Sequence, residues 1–239
     1  MKIGILQCDS VRSQFQGRFG DYPEMITALF HPLAPLFRYQ VYDVVAGHYP
    51  AAVDECDAYI TTGSKASVYD EEAWIEVLQA FIIRLREAKI KLIAICFGHQ
   101  LVAQAFGGRV LPSDKGWGVG VHAMHVAPIE KWQESLPRVC HVLVSHQDQV
   151  VELPPGAALI AGSDFCPYAM FQLDDTMLTI QGHPEFSKPY AGALMGFRRA
   201  LLGESVYAAG MDSLSQQTDE QLIAQWMVEF LSRKNSASI

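Results

Sequence analysis

The residues best suited to chemistry are a cysteine, a histidine and a glutamate. The segment KLIAICFGHQ (Lys91–Gln100) ends a strand-length apolar run in Cys96 and follows it at once with Gly98, His99 and Gln100. Ala94-Ile-Cys96-Phe-Gly98 has the small-x-nucleophile-x-Gly shape of a sharp strand-to-helix turn that exposes a nucleophile above a sheet. A helix starting there points free N–H groups and positive partial charge at the sulfur, which favours thiolate. A thiolate that attacks an amide also needs a proton carrier for the leaving nitrogen. IQGHPEF supplies His183, with Glu185 two residues on to orient the imidazole and stabilise imidazolium, and Pro184 to stiffen the link. Backbone N–H groups of Gly63, in TTGS, and of Phe97 are candidates for an oxyanion hole. The plainer reading is that Cys96 only packs, since free cysteines are among the most buried residue types.

The elements that must position these groups can be read from periodicity. Ile3–Gln7, Tyr39–Val45, Asp57–Thr61 and Lys91–Ile95 read as strands. A helix over Asp70–Lys89 carries Trp74, Val77, Leu78, Phe81, Ile82 and Leu85 as one apolar stripe. A helical segment with Met25, Leu29 and Leu33 lies between the first two strands, and Arg12–Asp21 reads as a loop in which Arg18 is free either to meet a substrate carboxylate or to stay solvated. Alternating strands and helices predict an α/β fold with a doubly wound, mostly parallel sheet. After Gly107-Gly108 the pattern changes. Val119–Ala127, Val139–Ser145, Ala158–Gly162, Tyr168–Leu173 and Met177–Gln181 are short runs between turn signals, and LDDTM suits a hairpin, so an additional antiparallel β portion is expected. Two C-terminal helices follow. One spans about Lys188–Leu202; the other opens with a Thr218–Gln221 capping box and carries Leu222, Trp226, Val228 and Leu231. The last six residues, KNSASI, read as frayed. Residues 1–190 are expected to form the main domain, and 191–239 a helical extension packed on it.

Composition narrows the function classes. The 239 residues are 50% hydrophobic, enough for a sizeable core, and the net charge is −8 with no dense Lys/Arg run, which argues against nucleic acid. No apolar stretch reaches the roughly 18 residues that cross a bilayer, and the N-terminus is too short for a secretion signal. Five scattered cysteines without a CxxC argue for a reducing, cytoplasmic setting and against a zinc site or a disulfide framework. Cys8, Cys140 and Cys166 read as buried fillers. His122 and His125 sit three apart on a strand, face opposite ways and do not converge on a metal. His99 should turn away from the thiol. No cofactor is expected, and no Walker-type phosphate loop occurs.

ICFGHQ followed 87 residues later by GHPE resembles the class I glutamine amidotransferase family of the Cys-His-Glu type. TTGSKASVYDEEAWI, KGWGVGVH and SHQDQVVELP resemble its stand-alone GMP-synthase-like members. The resemblance implies a flavodoxin-like fold in which Cys96 forms a thioester with the γ-carboxamide of glutamine or a γ-glutamyl compound, releasing ammonia or an amine. His183 would move the proton, and Gln100 would contact the glutamyl group. The loop Ser145-His146-Gln147-Asp148 would grip its amino-acid end. Ala94 departs from the glycine usual in the family; its small side chain should alter the turn only modestly. Two versions of the activity remain open. One is a glutaminase feeding a separate synthase or acceptor subunit, the other a free-standing γ-glutamyl peptidase. A non-catalytic regulatory module of the same fold is a third reading. The DJ-1/PfpI group shares the elbow but lacks the HPE dyad.

Overall fold

The computed structural model describes residues 1–127 and 137–233; the KNSASI tail lies outside them. The architecture is α/β around a nine-stranded sheet. Its first half is parallel: β1 (Lys2–Gln7) is flanked by β2 (Arg38–Asp43) and β3 (Ala58–Thr61), and β4 (Lys91–Ile95) follows β3. The order β2-β1-β3-β4 is the doubly wound, flavodoxin-like pattern, in which ligands bind beyond the carboxyl ends of the strands. The next strand along the sheet comes from far down the chain. It is β11 (Met177–Ile180), parallel to β4, with Thr179 opposite Ala94 and Ile180 opposite Ile95.

Beyond β11 the sheet becomes antiparallel through β10 (Met170–Leu173), β9 (Ala157–Gly162), β6 (Gly118–Val126) and β7 (Val139–His146). Two strands not anticipated, β5 (Arg109–Pro112) and β8 (Asp148–Glu152), pair separately. Each is short and half exposed, so neither presents an alternating pattern strong enough to read.

Alternation along the parallel strands divides the core. Ile3, Ile5, Ile60, Ile93, Ile95 and Ile180 point to one face, where α2 (Tyr22–Phe30) and α8 (Glu220–Ser232) cover them. Leu6, Tyr59, Leu92 and Ala94 point to the other, under α3 (Ala73–Glu87) and α4 (Phe97–Ala105). Both faces are buried, which is why these strands read as continuous apolar runs.

Several boundaries differ from expectation. The long helix begins at Ala73, and Val77 is exposed; its buried stripe is Ile75, Leu78, Phe81, Ile82 and Leu85. Leu33 falls beyond the end of α2 and is exposed. The expected loop 12–21 contains α1 (Ser13–Phe19), a short helix with no buried residue. Edge contacts of Phe15 with Phe197 and of Phe19 with Tyr190 hold it, and no helical stripe announces it. The single helix expected over Lys188–Leu202 is broken at Arg198 (φ −91°, ψ 5°) into α5 (Lys188–Phe197) and α6 (Arg199–Leu202). Gly203 then turns the chain at φ 77° into an unanticipated α7 (Glu204–Ser213). The Thr218 capping box does not form. Asp219 occupies the N-cap of α8, and its carboxylate accepts from the backbone N–H of His141 at 2.7 Å, so β7 rather than the helix uses the acidic side chain.

Candidate active site

Three adjacent strand ends converge on Cys96. The thiol follows β4 directly at φ 50°, ψ −100°, a left-handed conformation that costs a non-glycine residue about 1–3 kcal/mol and signals a position held for a purpose. The turn forms with Ala94 in the strand before it. Tight packing against β3 supports it. A Cβ at Gly98 would lie 1.8 Å from Thr61 Oγ1, so only glycine lets α4 start this close to the neighbouring strand. That same hydroxyl accepts from the Ile95 N–H at 3.1 Å, and the Cys96 N–H donates to Ile180 O at 2.8 Å. As the first residue of α4, Phe97 has an N–H without an intrahelical acceptor.

Past β11 the chain crosses toward β7, where the His183 N–H donates to Leu143 O at 2.7 Å. This puts the imidazole beside both Cys96 and Gly63. A Cβ on Gly63 would stand 2.8 Å from His183 Cε1 and 3.5 Å from Cys96 Cβ. His183 Nδ1 is 2.7 Å from Glu185 Oε1, with both side chains buried. Phe186 stacks on the imidazole at 3.9 Å between ring centroids. Burial by itself disfavours the charged ring. The Glu185 carboxylate and the sulfur of Cys96 outweigh it and raise the His183 pKa to about 10.

A pocket of about 150 Å³ opens over the thiol, lined by residues 64–67, Cys96, Gln100, Trp117, residues 145–148 and Arg198. Gln100 and the Ser145–Asp148 loop therefore do meet at Cys96. Gln100 donates through Nε2 to both Asp148 O (2.8 Å) and Gln181 Oε1 (3.0 Å), which leaves its Oε1 to offer a ligand. The Asp148 carboxylate accepts from Ser67 Oγ at 2.5 Å and Tyr69 OH at 3.0 Å. His146 is buried, and burial drives its pKa down to about 3, so it stands in the pocket wall as a neutral ring. Gln147 has an exposed side chain, and its carbonyl accepts from the Ser113 N–H at 2.9 Å.

His99, also buried and neutral, points Nδ1 at Thr179 Oγ1 (2.8 Å), away from the pocket. His122 packs its ring on Phe165, while His125 is exposed on β6. The five cysteines are all buried and unpaired, and burial pushes the thiols of Cys8, Cys140 and Cys166 up to about 12. Arg18 lies over Phe19 and takes no part in the pocket wall.

Two further residues reach the site without a motif to mark them. Gln181 donates through Nε2 to Cys96 Sγ at 3.5 Å, and its signal was visible as a polar residue closing the apolar strand two positions before His183. Arg198 reaches the pocket from the break between α5 and α6, where no local pattern marks it.

Residues 45–201 match the family model described as glutamine amidotransferase class-I. A glutamine amidotransferase-like protein of Schizosaccharomyces pombe is 30% identical over 92% of this chain and 90% of its own length. Gamma-glutamyl peptidase 4 of Arabidopsis thaliana is 32% identical over 63% of this chain, which spans 63% of that relative. Among solved structures, a glutamine amidotransferase of Thermotoga maritima superposes with a TM-score of 0.73, covering 96% of this chain and 95% of that one at 16% identity, a likeness of fold.

Proposed function

The chain belongs to the class I glutamine amidotransferase family, and from that premise we propose that it hydrolyses the γ-carboxamide of glutamine or the γ-amide of a γ-glutamyl compound. The observation that carries this reading is the convergence of a buried thiol on a strained turn, a buried His183–Glu185 pair at 2.7 Å and a pocket over the sulfur. The Cys96 sulfur attacks the γ-carbonyl carbon. The tetrahedral oxyanion is met by the N–H groups of Phe97 and Gly63; one such donor is typically worth about 3 kcal/mol of barrier. His183, protonated and steadied by Glu185, gives its proton to the leaving nitrogen as the C–N bond breaks, releasing ammonia or an amine and leaving a γ-glutamyl thioester. Water then attacks the thioester, His183 takes its proton, and the C–S bond breaks to release glutamate. Throughout, Gln181 and Gln100 hold the sulfur and the pocket wall in register.

Resemblance to a plant γ-glutamyl peptidase supports the free-standing version of this activity. Delivery of ammonia to a separate synthase subunit is the second version. We assign the chain to the cytoplasm on its unpaired cysteines. No helix among the described residues is long and apolar enough to cross a membrane.

The test is glutamate release from glutamine and from γ-glutamyl dipeptides, alone and with cell extract. Release that disappears in Cys96→Ala and survives in Cys140→Ala is expected. An absence of release from every donor would overturn the hydrolase reading in favour of a regulatory module.

A further inference from the structure

Arg198 is a half-buried cation in the pocket wall. Its guanidinium donates to Ser145 Oγ at 2.8 Å and lies 5.4 Å from the centroid of the Trp117 ring. Among the described residues no carboxylate pairs with it, whereas Lys65, the other cation of the wall, is 3.0 Å from Asp9. A partly desolvated guanidinium held by a neutral hydroxyl and an aromatic face is poised for an anion, and its planar fork matches a carboxylate. The chain around it bends to put it there, since the helix breaks at this residue. Opposite charge is already present in the same pocket: the Asp148 carboxylate is met by the hydroxyls of Ser67 and Tyr69. A pocket with a guanidinium and a carboxylate on its walls complements an amino-acid ligand that carries both an ammonium and a carboxylate group.

We propose that Arg198 is a specificity residue that binds a carboxylate of the γ-glutamyl substrate. The inference rests on the hydrolase reading for the identity of that ligand. Two carboxylates qualify, the α-carboxylate of the glutamyl unit and the terminal carboxylate of an amino acid released from it. The pocket is below the 300–1,000 Å³ usual for drug-sized ligands and accommodates about one amino-acid unit, so a second unit would project to the rim.

Binding separates this inference from turnover. In the Cys96→Ala background, glutamine, γ-glutamylglycine and γ-glutamylglycinamide are titrated by calorimetry into proteins carrying Arg198, Arg198→Lys or Arg198→Met, each first checked for an unchanged thermal transition. Loss of a charged hydrogen-bond pair predicts roughly 10- to 100-fold weaker binding in Arg198→Met, with partial recovery in Arg198→Lys. Weakening of all three ligands identifies the glutamyl α-carboxylate; weakening of γ-glutamylglycine alone identifies the terminal one. Unchanged binding of every ligand in Arg198→Met overturns the inference, as does an absence of binding to the Arg198 protein. Binding with the predicted Arg198 dependence but no turnover in the Cys96 protein overturns the hydrolase reading alone.

Discussion

At the scale of the residue, the candidate site is built on three short-range relations: a strained backbone at Cys96, an ion pair at His183 and a chain of amide hydrogen bonds through Gln181 and Gln100. The ion pair makes a prediction about pH. The folded-state pKa of His183 is about 10, above the unfolded value of about 6.5, because Glu185 and Cys96 favour imidazolium. Between those values the native state holds the extra proton, so its contribution to stability is complete below about pH 6.5 and is lost as pH rises through 10. Urea denaturation from pH 6 to pH 10 should show stability falling in the wild type, and a flatter profile in His183→Asn. Equal slopes would mean that the pair does not favour imidazolium. Cys96 and the His183–Glu185 pair were legible as candidates because each sits in a recognisable local segment, whereas joining the two segments, 87 residues apart, rested on their co-occurrence and the family resemblance. Gln181 was legible only as an anomaly, since its partner, the sulfur, is 85 residues away.

At the scale of the element, the β4–α4 elbow depends on how closely α4 approaches β3. In Gly98→Ala, the gain in helix propensity is at most about 1 kcal/mol. The added methyl meets Thr61 Oγ1 and evicts it from the Ile95 N–H. Overpacking of this kind costs about 1–3 kcal/mol. We expect Gly98→Ala to lower the urea midpoint and to reduce Cys96 alkylation by a glutamine analogue. The Gly98→Ala/Thr61→Ala double variant should recover part of both, and strict additivity of the two substitutions would disprove the clash. Helix α3 was readable from its own stripe. Helices α1, α6 and α7 were not, because short helices are decided by contacts such as Phe15 with Phe197 rather than by periodicity.

At the scale of the whole molecule, the C-terminal helices are part of the machinery that holds the sheet. Trp226, Met227 and Phe230 of α8 are buried in the same core as Ile3, Ile93 and Ile95. Lys91, at the start of β4, donates to the carbonyls of Phe230 and Arg233 at the end of α8, a cation placed at the negative end of a helix dipole. The strand that ends in Cys96 is thus anchored at its other end by the last helix. Truncating a fully buried aromatic typically costs about 3–5 kcal/mol. Trp226→Ala should lose about that much in urea denaturation while the surviving folded fraction keeps its KM; a changed KM with unchanged stability would point to a role at the site instead.

Sequence alone determined the α/β class, the parallel first half and the antiparallel second half, and it nominated the cysteine, histidine and glutamate as candidates for the site. Each of these is written in patterns a few residues long: apolar runs, helical spacing, a glycine after a nucleophile, two acid–base groups two residues apart. Only tertiary structure decided that β11 lies beside β4, and hence that His183 faces Cys96, and that Gln181 and Arg198 join the pocket. Strand order and a break in a helix are set by the energy of burying surfaces brought together from distant parts of the chain, and no local spacing encodes which surfaces will meet.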